Sequence, residues 1–358
     1  MKILVYGAGA VGSYFGVLLA HKGHDVTLLT RPDTAALLEE TGLRVTQADG
    51  SAIRANPVLA TGLRRVLEQD PPFNVILLAM KAYDVEVALN PLVAFAPRPF
   101  PTVITLQNGI GVEEMVQEAL GDVTIIAGSL TTPLSRETPD HVVVEHSDRG
   151  LALAPTRRKQ HIKPYVQLFN DAGIPTSAIG DFRAMKWSKA LLNMIGNATS
   201  AIINRHPRII YEAAPTYRLE REMLEEALRV MDGLGLKVVD LPGAPARKLV
   251  TGLRLPAFLA KGALTRAVGE ARGNKMPSFH IDLTAGKSKN EVVYHNGAVA
   301  IEGRRLGIPV PVNTALADIL LKMARREISW ERYDGNPAQL VQDVEAYAGQ
   351  EMALDWER

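Results

Sequence analysis

The chain has 358 residues, of which 47% are hydrophobic and 22% charged, and its formal net charge is +1. This composition is typical of a soluble globular protein, and the near-neutral charge gives no support for a nucleic-acid or membrane partner. Cysteine is absent, which excludes disulfides, thiolate nucleophiles and cysteine metal sites. The eight histidines show no ligand-like clustering, so we expect no metal site.

The N-terminal sequence predicts a cytoplasmic protein. The apolar run "MKILVY" meets glycine at once and is too short for the core of a signal peptide. A membrane span needs about 18 consecutive apolar residues. The stretch "LRLPAFLAKGALTRAVGEARG" is interrupted by Lys261 and Arg266, so we do not interpret it as a span.

Residues 2–31 predict a strand, a glycine turn, a helix and a second strand. Gly7, Gly9 and Gly12 follow the pattern G-x-G-x-x-G directly after "KILVY", a context in which this pattern is a strong signal. Gly7 permits the tight turn, Gly9 lets a pyrophosphate approach the backbone, and Gly12 lets the helix pack against the strand. The helix N-terminus offers N–H groups and a partial positive charge to phosphates. The alternative is a tight turn that binds nothing. We predict that the cofactor is bound by Gly7, Ala8, Gly9, Ala10, Val11 and Gly12.

The end of the second strand indicates which cofactor binds. An NAD site usually has Asp or Glu there, whereas this chain has Thr30 and Arg31. An arginine can hold a 2′-phosphate with two hydrogen bonds, and an acid would repel it. We therefore predict NADP(H) rather than NAD(H). Asp33 is predicted to cap the helix "TAALLEE".

Two further strands of the first half end in polar residues. Lys81 stands at the end of "NVILLAMKAYD", and Asn108 at the end of "PTVITLQNG". Ligands bind at the carboxyl ends of strands in open parallel sheets, although Lys81 could also be a solvated loop lysine. Further strand and helix patterns continue to residue 180. They predict an α/β doubly wound domain over residues 1–180.

From residue 181 onward the strand signals nearly vanish, which predicts an all-α second domain over residues 181–358. Helical patterns cover 182–202, 214–235, 246–253, 257–271, 296–307 and 308–330. A cofactor domain followed by a helical domain is the layout of a dehydrogenase, with the substrate expected in a cleft between the two.

One predicted helix, "KWSKALLNMIGNATSAI", carries an unusual polar stripe. Lys189, Asn193 and Asn197 recur at intervals of four, so on one helix they would form a continuous file among apolar residues. Buried polar groups need partners. Either the protein supplies them, with the lysine paired to a carboxylate and the asparagines capping nearby turns, or a ligand does.

Taken together, these residues resemble the ketopantoate reductase (2-dehydropantoate 2-reductase) family of the 6-phosphogluconate dehydrogenase-like superfamily. The resemblance covers roughly residues 1–330. It rests on "GAGAVG" with Arg31, "MKAYD", "LQNGIGVEE", "KWSKALLNMIGNATSA", "PSFHIDLTAGKSKNEV" and "HNGAVAIEGRRLGIPVPVNTAL". It implies an N-terminal Rossmann-type, mostly parallel sheet, an all-α C-terminal domain, and NADPH-dependent reduction of 2-dehydropantoate to (R)-pantoate. That reaction is a step of pantothenate (vitamin B5) and coenzyme A biosynthesis.

The resemblance also implies roles for single residues. Lys189 matches the catalytic proton donor to the substrate carbonyl oxygen, and Glu291 an acid that meets both the cofactor and this lysine. Asn193 and Asn197 match asparagines that bind substrate hydroxyl and carbonyl groups. Ser278 matches a serine that contacts the substrate carboxylate.

The remaining implied roles lie in the first half. Asn108 touches the nicotinamide side and the substrate, and Arg31 and Lys81 match a pair near the adenosine phosphate. The chain departs from the family pattern in three places. The spacing from Asp282 to Glu291 is one residue longer, and both the 241–274 segment and the tail after residue 330 are extended.

Three other readings stay open at this point. The chain could be an NADP-dependent reductase of another 2-oxo acid, a β-hydroxyacid or opine-type dehydrogenase, or an NADP-sensing module without turnover. "LQNG" and Arg31 favour the ketopantoate reductase family over the β-hydroxyacid or opine-type dehydrogenases. The predicted partner is a small-molecule 2-oxo acid, and a homodimer is one option for the assembly.

Overall fold

The computed structural model describes residues 1–68, 72–96, 98–255, 261–262, 265 and 275–347. These residues form two compact units. Unit 1 comprises Met1–Met185 together with the short segment Asp240–Ala244. Unit 2 comprises Lys186–Val239 and the described residues from Pro245 onward.

Unit 1 is built on an eight-stranded sheet with the strand order β12-β11-β8-β7-β6-β1-β2-β5. All neighbours are parallel except β8 and β11, which pair antiparallel. The predicted mostly parallel Rossmann-type sheet is thus confirmed. The strands of the chain are β1 Lys2–Tyr6, β2 Asp25–Leu29, β3 Leu43–Thr46, β4 Ala52–Ala55, β5 Val58–Ala60, β6 Val75–Leu78, β7 Thr102–Thr105, β8 Ile125–Leu130, β9 Leu134–Thr138, β10 His141–Val144, β11 Leu151–Pro155 and β12 Thr176–Ala178.

A second sheet of four short strands, in the order β4-β3-β10-β9, was not predicted from the sequence as a separate layer. The first helix, α1, joins the two sheets into one core. Phe15 on α1, Val45 on β3 and Val142 on β10 are all buried in the same cluster as the central strands. The glycine turn at the start of α1 is therefore held by a core that both sheets share.

Six helices accompany these sheets in the described part of unit 1 up to residue 180. They are α1 Ala10–His21, α2 Pro32–Thr41, α3 Leu63–Leu67, α4 Val85–Phe95, α5 Val112–Leu120 and α6 Lys163–Asp171. The prediction that Asp33 caps α2 is wrong. This helix begins at Pro32, so Arg31 takes the capping position and Asp33 lies in the first turn. Proline is favoured there because its missing N–H would have no partner in the helix.

The described part of unit 2 is helical, which confirms the predicted all-α character of the second half. Its helices, together with the start of α7, are α7 Phe182–Met194, α8 Ala198–Ile203, α9 Pro207–Glu212, α10 Ala214–Gly233, α11 Ala246–Arg254, α12 Ser278–Thr284, α13 Asn296–Leu306, α14 Pro311–Ala324 and α15 Pro337–Tyr347. The helix predicted over 257–271 lies almost wholly outside the described residues, as does the end of the tail. Within the described residues, no helix is long and apolar enough to cross a membrane.

The predicted continuous helix over residues 182–202 is wrong, because the helix breaks in the middle. α7 ends at Met194 and α8 starts at Ala198. Gly196 in the gap has a φ of +58°, a left-handed conformation that glycine adopts without strain. Asn197 consequently leaves the helix that carries Lys189 and Asn193.

A buried carboxylate stabilises this break. Glu220 on α10 accepts hydrogen bonds from the Gly196 N–H at 2.7 Å, from Thr199 Oγ1 at 2.5 Å and from the Tyr211 hydroxyl at 2.9 Å. The Gly196 N–H lies in the gap between the two helices, so its hydrogen-bond partner has to come from outside them. Glu220 therefore fixes the position of Asn197, the next residue along the chain.

A second buried carboxylate, Glu226, holds the start of α14. It accepts from the backbone N–H groups of Val312 and Asn313, both at 2.9 Å, and from Asn313 Nδ2 at 2.7 Å. Burial raises the pKa of Glu226 to about 7. Asn313 Oδ1 in turn accepts from Asn296 Nδ2 at 3.0 Å, so α13 and α14 are joined at their N-terminal ends.

Candidate active site

The glycine turn of unit 1 has the geometry that a dinucleotide needs. Gly7 has a φ of +112°, a conformation open to glycine. A Cβ on Gly12 would lie 1.8 Å from the Gly7 carbonyl oxygen, whereas a Cβ on Gly9 would meet nothing within 4 Å. α1 carries no acidic residue in its first turn and no side-chain cap at its N-terminus. Space at Gly9 and the uncapped helix end together fit a pyrophosphate.

Four predicted cofactor positions follow the ends of four adjacent parallel strands. Asn108, Lys81, Gly7 and Arg31 come after β7, β6, β1 and β2 respectively. Parallel strands bring their carboxyl ends to one edge of the sheet, which is where ligands bind in open α/β sheets. Arg31 and Asn108 are exposed there, and Lys81 is half-buried.

A buried amide connects two of these strand ends. Gln107 Nε2 donates to the carbonyl oxygens of Leu78 at 2.8 Å and of Met80 at 3.2 Å. Gln107 is therefore occupied with the backbone beyond β6. Its role is to hold the loop that carries Lys81 against the loop that carries Asn108.

Two of the predicted catalytic and substrate residues share one face of α7 in unit 2. Lys189 and Asn193 are four residues apart and both half-buried. Residues at this spacing are neighbours on a helix surface, with Cβ atoms about 5–6 Å apart. An ammonium and an amide can thus reach the same small ligand. Ser188 Oγ, next to this lysine, accepts from the Val239 N–H at 2.9 Å and ties α7 to the segment after α10.

Asn197 connects three segments of unit 2 through its side chain. Nδ2 donates to the Asn193 carbonyl oxygen at 3.0 Å and lies 3.4 Å from Ser278 Oγ, and Oδ1 accepts from the Phe279 N–H at 3.1 Å. Asn197 is only 3% exposed, whereas Ser278 is exposed. The amide therefore caps both the end of α7 and the start of α12, and it brings Ser278 next to the α7–α8 break.

A histidine that the sequence analysis did not single out completes this cluster. His295 is 1% exposed, and its Nε2 lies 3.3 Å from Asn193 Nδ2. Its Nδ1 lies 3.0 Å from the carbonyl oxygen of Glu291, which is buried in a short 3-10 turn. The ring also meets Phe279 edge-on at 5.4 Å. The signal was present in "HNG", which follows "NEVVY" directly, but nothing in the sequence showed that it reaches α7.

The contacts thus bring Asn193, Asn197 and Ser278 together in unit 2. His295 connects Asn193 to the backbone carbonyl of Glu291. Lys189 shares α7 with Asn193, and the pairing of Lys189 with Glu291 remains a prediction. The cofactor residues belong to unit 1. Within the described residues, no group of three His, Asp or Glu side chains is arranged to hold a metal ion.

Comparison with known proteins gives the family. The family model described as ketopantoate reductase PanE/ApbA matches residues 3–155, and the one described as its C-terminal part matches residues 181–324. A 2-dehydropantoate 2-reductase from Halobacterium salinarum is 28% identical over 331 residues, covering 91% of this chain and all of the relative.

Solved structures agree with this result. A PanE/ApbA family ketopantoate reductase from Ralstonia eutropha superposes with a TM-score of 0.76 at 26% identity, covering 91% of this chain and 99% of the other. A D-mandelate dehydrogenase, solved with NADH and anilino(oxo)acetate, superposes with a TM-score of 0.72 at 19% identity and with the same coverage, a likeness of fold alone. The chain belongs to the ketopantoate reductase family and is an oxidoreductase that uses a nicotinamide cofactor.

Proposed function

We propose that this chain reduces the C2 carbonyl of 2-dehydropantoate with NADPH and releases (R)-pantoate. The observation that carries the proposal is the cluster in unit 2. Asn193, Asn197 and Ser278, which the family resemblance assigns to the substrate, come from segments up to 85 residues apart and meet through hydrogen bonds. Family models that match in both halves of the chain support the same conclusion.

The preference for NADPH over NADH rests on Arg31. It is exposed two residues after the end of β2, at the strand end where an NAD site usually carries an acid. Its guanidinium can form a bidentate, charge-assisted pair with a 2′-phosphate, whereas an acidic residue at this position would repel that group. Lys81, after the next strand but one, would add a second cation on the same edge.

In the proposed mechanism the glycine turn and Arg31 would hold NADPH, which would supply the hydride that C2 of the substrate accepts. Lys189 donates a proton to the carbonyl oxygen, which becomes the new hydroxyl. Asn193, one turn along α7, binds a substrate hydroxyl. Ser278, whose hydroxyl is exposed beside Asn197, binds the carboxylate. Asn197 is largely occupied by the protein itself, so its main contribution is to hold Ser278 and α12.

A half-buried lysine is suited to this role. Partial burial disfavours the charged form of an amine, and a nearby carboxylate restores it, so the two together can poise a proton donor. In the proposed site Glu291 is that carboxylate. It is buried on a turn whose carbonyl is bound by His295, so its backbone position is fixed.

The test is oxidation of NADPH and of NADH, followed separately with a panel of 2-oxo acids. The panel contains 2-dehydropantoate, 3,3-dimethyl-2-oxobutanoate, phenylglyoxylate and pyruvate, and chiral chromatography identifies the product. We expect the highest kcat/KM for 2-dehydropantoate with NADPH, and the (R)-product. A higher kcat/KM for another acid would make the chain a reductase of that acid. NADPH binding without any turnover would make it a sensor.

A further inference from the structure

His295 makes a hydrogen-bonding contact through each of its two ring nitrogens. It stands between the turn Glu291–Tyr294 and helix α13, at 1% exposure. Nδ1 lies 3.0 Å from the Glu291 carbonyl oxygen, and Nε2 lies 3.3 Å from Asn193 Nδ2. The ring is thus clamped between the backbone of one element and the side-chain amide of another.

The chemistry of these two contacts decides where the protons are. A backbone carbonyl oxygen can only accept a hydrogen bond, so Nδ1 must carry a proton and donate it. In a neutral imidazole the other nitrogen is then an acceptor. It matches the amide nitrogen of Asn193, which is a donor. The arrangement is therefore self-consistent with one tautomer of His295 and one orientation of Asn193.

The orientation of Asn193 has a consequence for the substrate. An amide has its oxygen and nitrogen on opposite sides, so binding the imidazole through Nδ2 turns Oδ1 away from it. We propose that His295 is a positioning residue that fixes this orientation, so that Asn193 presents a hydrogen-bond acceptor to the substrate. An acceptor selects a hydroxyl group and disfavours a carbonyl or ether oxygen at that place. The site is thereby specific for 2-oxo acids that carry a hydroxyl group, an inference that rests on the proposed role of Asn193 in substrate binding.

The neighbouring contacts keep the ring from adapting. Phe279 packs edge-on against it at 5.4 Å, and the Phe279 N–H is held by Asn197. Rotation of the imidazole would break this packing as well as the bond to Glu291. His295 is therefore fixed independently of any ligand, as a group that orients another must be.

Two substitutions separate the acceptor from the ring. His295→Phe keeps an aromatic ring next to Phe279 but removes the acceptor. His295→Gln offers a side-chain oxygen near the position of Nε2 and restores it. His280→Phe is the matched control, because His280 also bonds an asparagine, Asn204 Oδ1 at 2.8 Å, and also packs edge-on against an aromatic ring, Trp330 at 5.3 Å.

The measurement is the ratio of kcat/KM for 2-dehydropantoate to that for 3,3-dimethyl-2-oxobutanoate, which lacks only the hydroxyl. We expect His295→Phe to lower this ratio roughly three- to tenfold, which is the worth of one neutral hydrogen bond. NADPH affinity should stay within about twofold. His295→Gln should recover most of the ratio, and His280→Phe should leave it unchanged. Equal ratios in wild type and His295→Phe, or equal losses in the Phe and Gln variants, would overturn the proposal.

A spectroscopic measurement tests the same point without turnover. Nitrogen-15 NMR of the wild-type protein distinguishes the two neutral tautomers, and the His295 signals are assigned by their loss in His295→Gln. The proposal requires the proton on Nδ1, and a proton on Nε2 alone would overturn it even if His295→Phe failed to fold. If wild-type protein oxidised NADPH with neither acid, the proposed function would fail, whereas the tautomer would still decide the orientation of Asn193.

Discussion

The candidate sites of the two units are built from different parts of the chain: backbone in unit 1 and side chains in unit 2. In unit 1 the candidate cofactor turn is made from backbone, because space at Gly9 and close packing at Gly12 depend on the absence of side chains. In unit 2 the candidate substrate cluster is made from side chains that arrive from three separate segments. Asn193 lies on α7. Ser278 on α12 is 85 residues further along the chain, and His295, directly before α13, is 102 residues further.

This difference predicts how each region responds to substitution. A backbone site fails when a methyl group is added, because the added atom occupies space that the ligand or the neighbouring backbone needs. A side-chain network fails when an atom is removed, and the loss passes to the bonded neighbours because buried donors and acceptors are left unpaired.

Replacing Lys189 with alanine should reduce kcat by roughly 10²–10⁴-fold and leave NADPH affinity nearly intact, because general acid catalysis contributes on that scale. The side chain belongs to unit 2, whereas the glycine turn belongs to unit 1. Steady-state kinetics and NADPH titration on the same preparation check both halves of the statement.

The melting temperature of this variant separates catalysis from structure. A lysine that only paired with a buried carboxylate would leave that carboxylate uncompensated when removed, at a cost of about 3–5 kcal/mol in the free energy of unfolding. A large fall in melting temperature with near-normal kcat at low temperature would contradict the catalytic role. A near-normal melting temperature with the expected fall in kcat would support it.

In the glycine turn, Gly12→Ala should mainly lower the stability of the protein, whereas Gly9→Ala should mainly lower its affinity for NADPH. A Cβ at position 12 would lie 1.8 Å from the Gly7 carbonyl oxygen, so α1 must move, and such overpacking costs about 1–3 kcal/mol or more. A Cβ at position 9 meets no atom within 4 Å, so that variant should fold normally but bind NADPH more weakly. Thermal melting and NADPH titration of both variants test this contrast, and an equally large loss of stability for Gly9→Ala would contradict it.

The same contrast explains what the sequence could predict. The glycine turn, the strand β1 and the helix α1 were predicted because their requirements are steric and local, and the main sheet followed from short apolar runs. The second sheet was missed because strands such as β4, "AIRA", and β9, "LSRET", are short and polar. Their stability comes from pairing with distant strands and from packing on α1, which no local pattern records.

In unit 2 the residues of the candidate site were predicted through the family resemblance, but their geometry was not. The stripe was assigned to one helix because its spacing fits a helix, although Gly196 followed by Asn197 is a typical helix end. The capping of this break by Glu220 involves a residue 24 positions later. The role of His295 depends on a contact across 102 positions, and only the fold brings those residues together.

Arg31→Ala tests unit 1 through a side chain rather than the backbone. NADPH affinity should fall roughly ten- to a hundredfold, because a charge-assisted bidentate contact is worth about 1.5–3 kcal/mol, and NADH affinity should change little. Arg31 is exposed, so the melting temperature should not move. Equal losses for the two cofactors would contradict the assignment of Arg31 to the 2′-phosphate.

The smallest effects are expected from the pair that joins α12 to the α7–α8 break. Ser278→Ala and Asn197→Ala should both raise the KM for the 2-oxo acid and leave NADPH affinity unchanged, since both residues belong to unit 2. Their effects on stability should differ. Ser278 is exposed, and its loss should change the free energy of unfolding by less than about 0.5 kcal/mol. Asn197 is 3% exposed, and its loss strands the buried Phe279 N–H, at a cost of about 1–3 kcal/mol.

Chemical denaturation and substrate titration of these two variants therefore distinguish direct contact from positioning. If Ser278 contacts the substrate and Asn197 mainly holds Ser278 in place, Ser278→Ala should raise KM at unchanged stability. Asn197→Ala should then raise KM and lower the stability of the protein together. Asn197→Asp is the discriminating third variant, because its carboxylate keeps an acceptor for the Phe279 N–H but loses the donor toward both Ser278 Oγ and the Asn193 carbonyl oxygen. Only the part of the stability that depends on the Phe279 N–H should return in this variant, while KM stays raised. Full recovery of KM by Asp would mean that both bonds from Asn197 Nδ2 are dispensable for KM, and that Asn197 acts on the site only through the capping of α12.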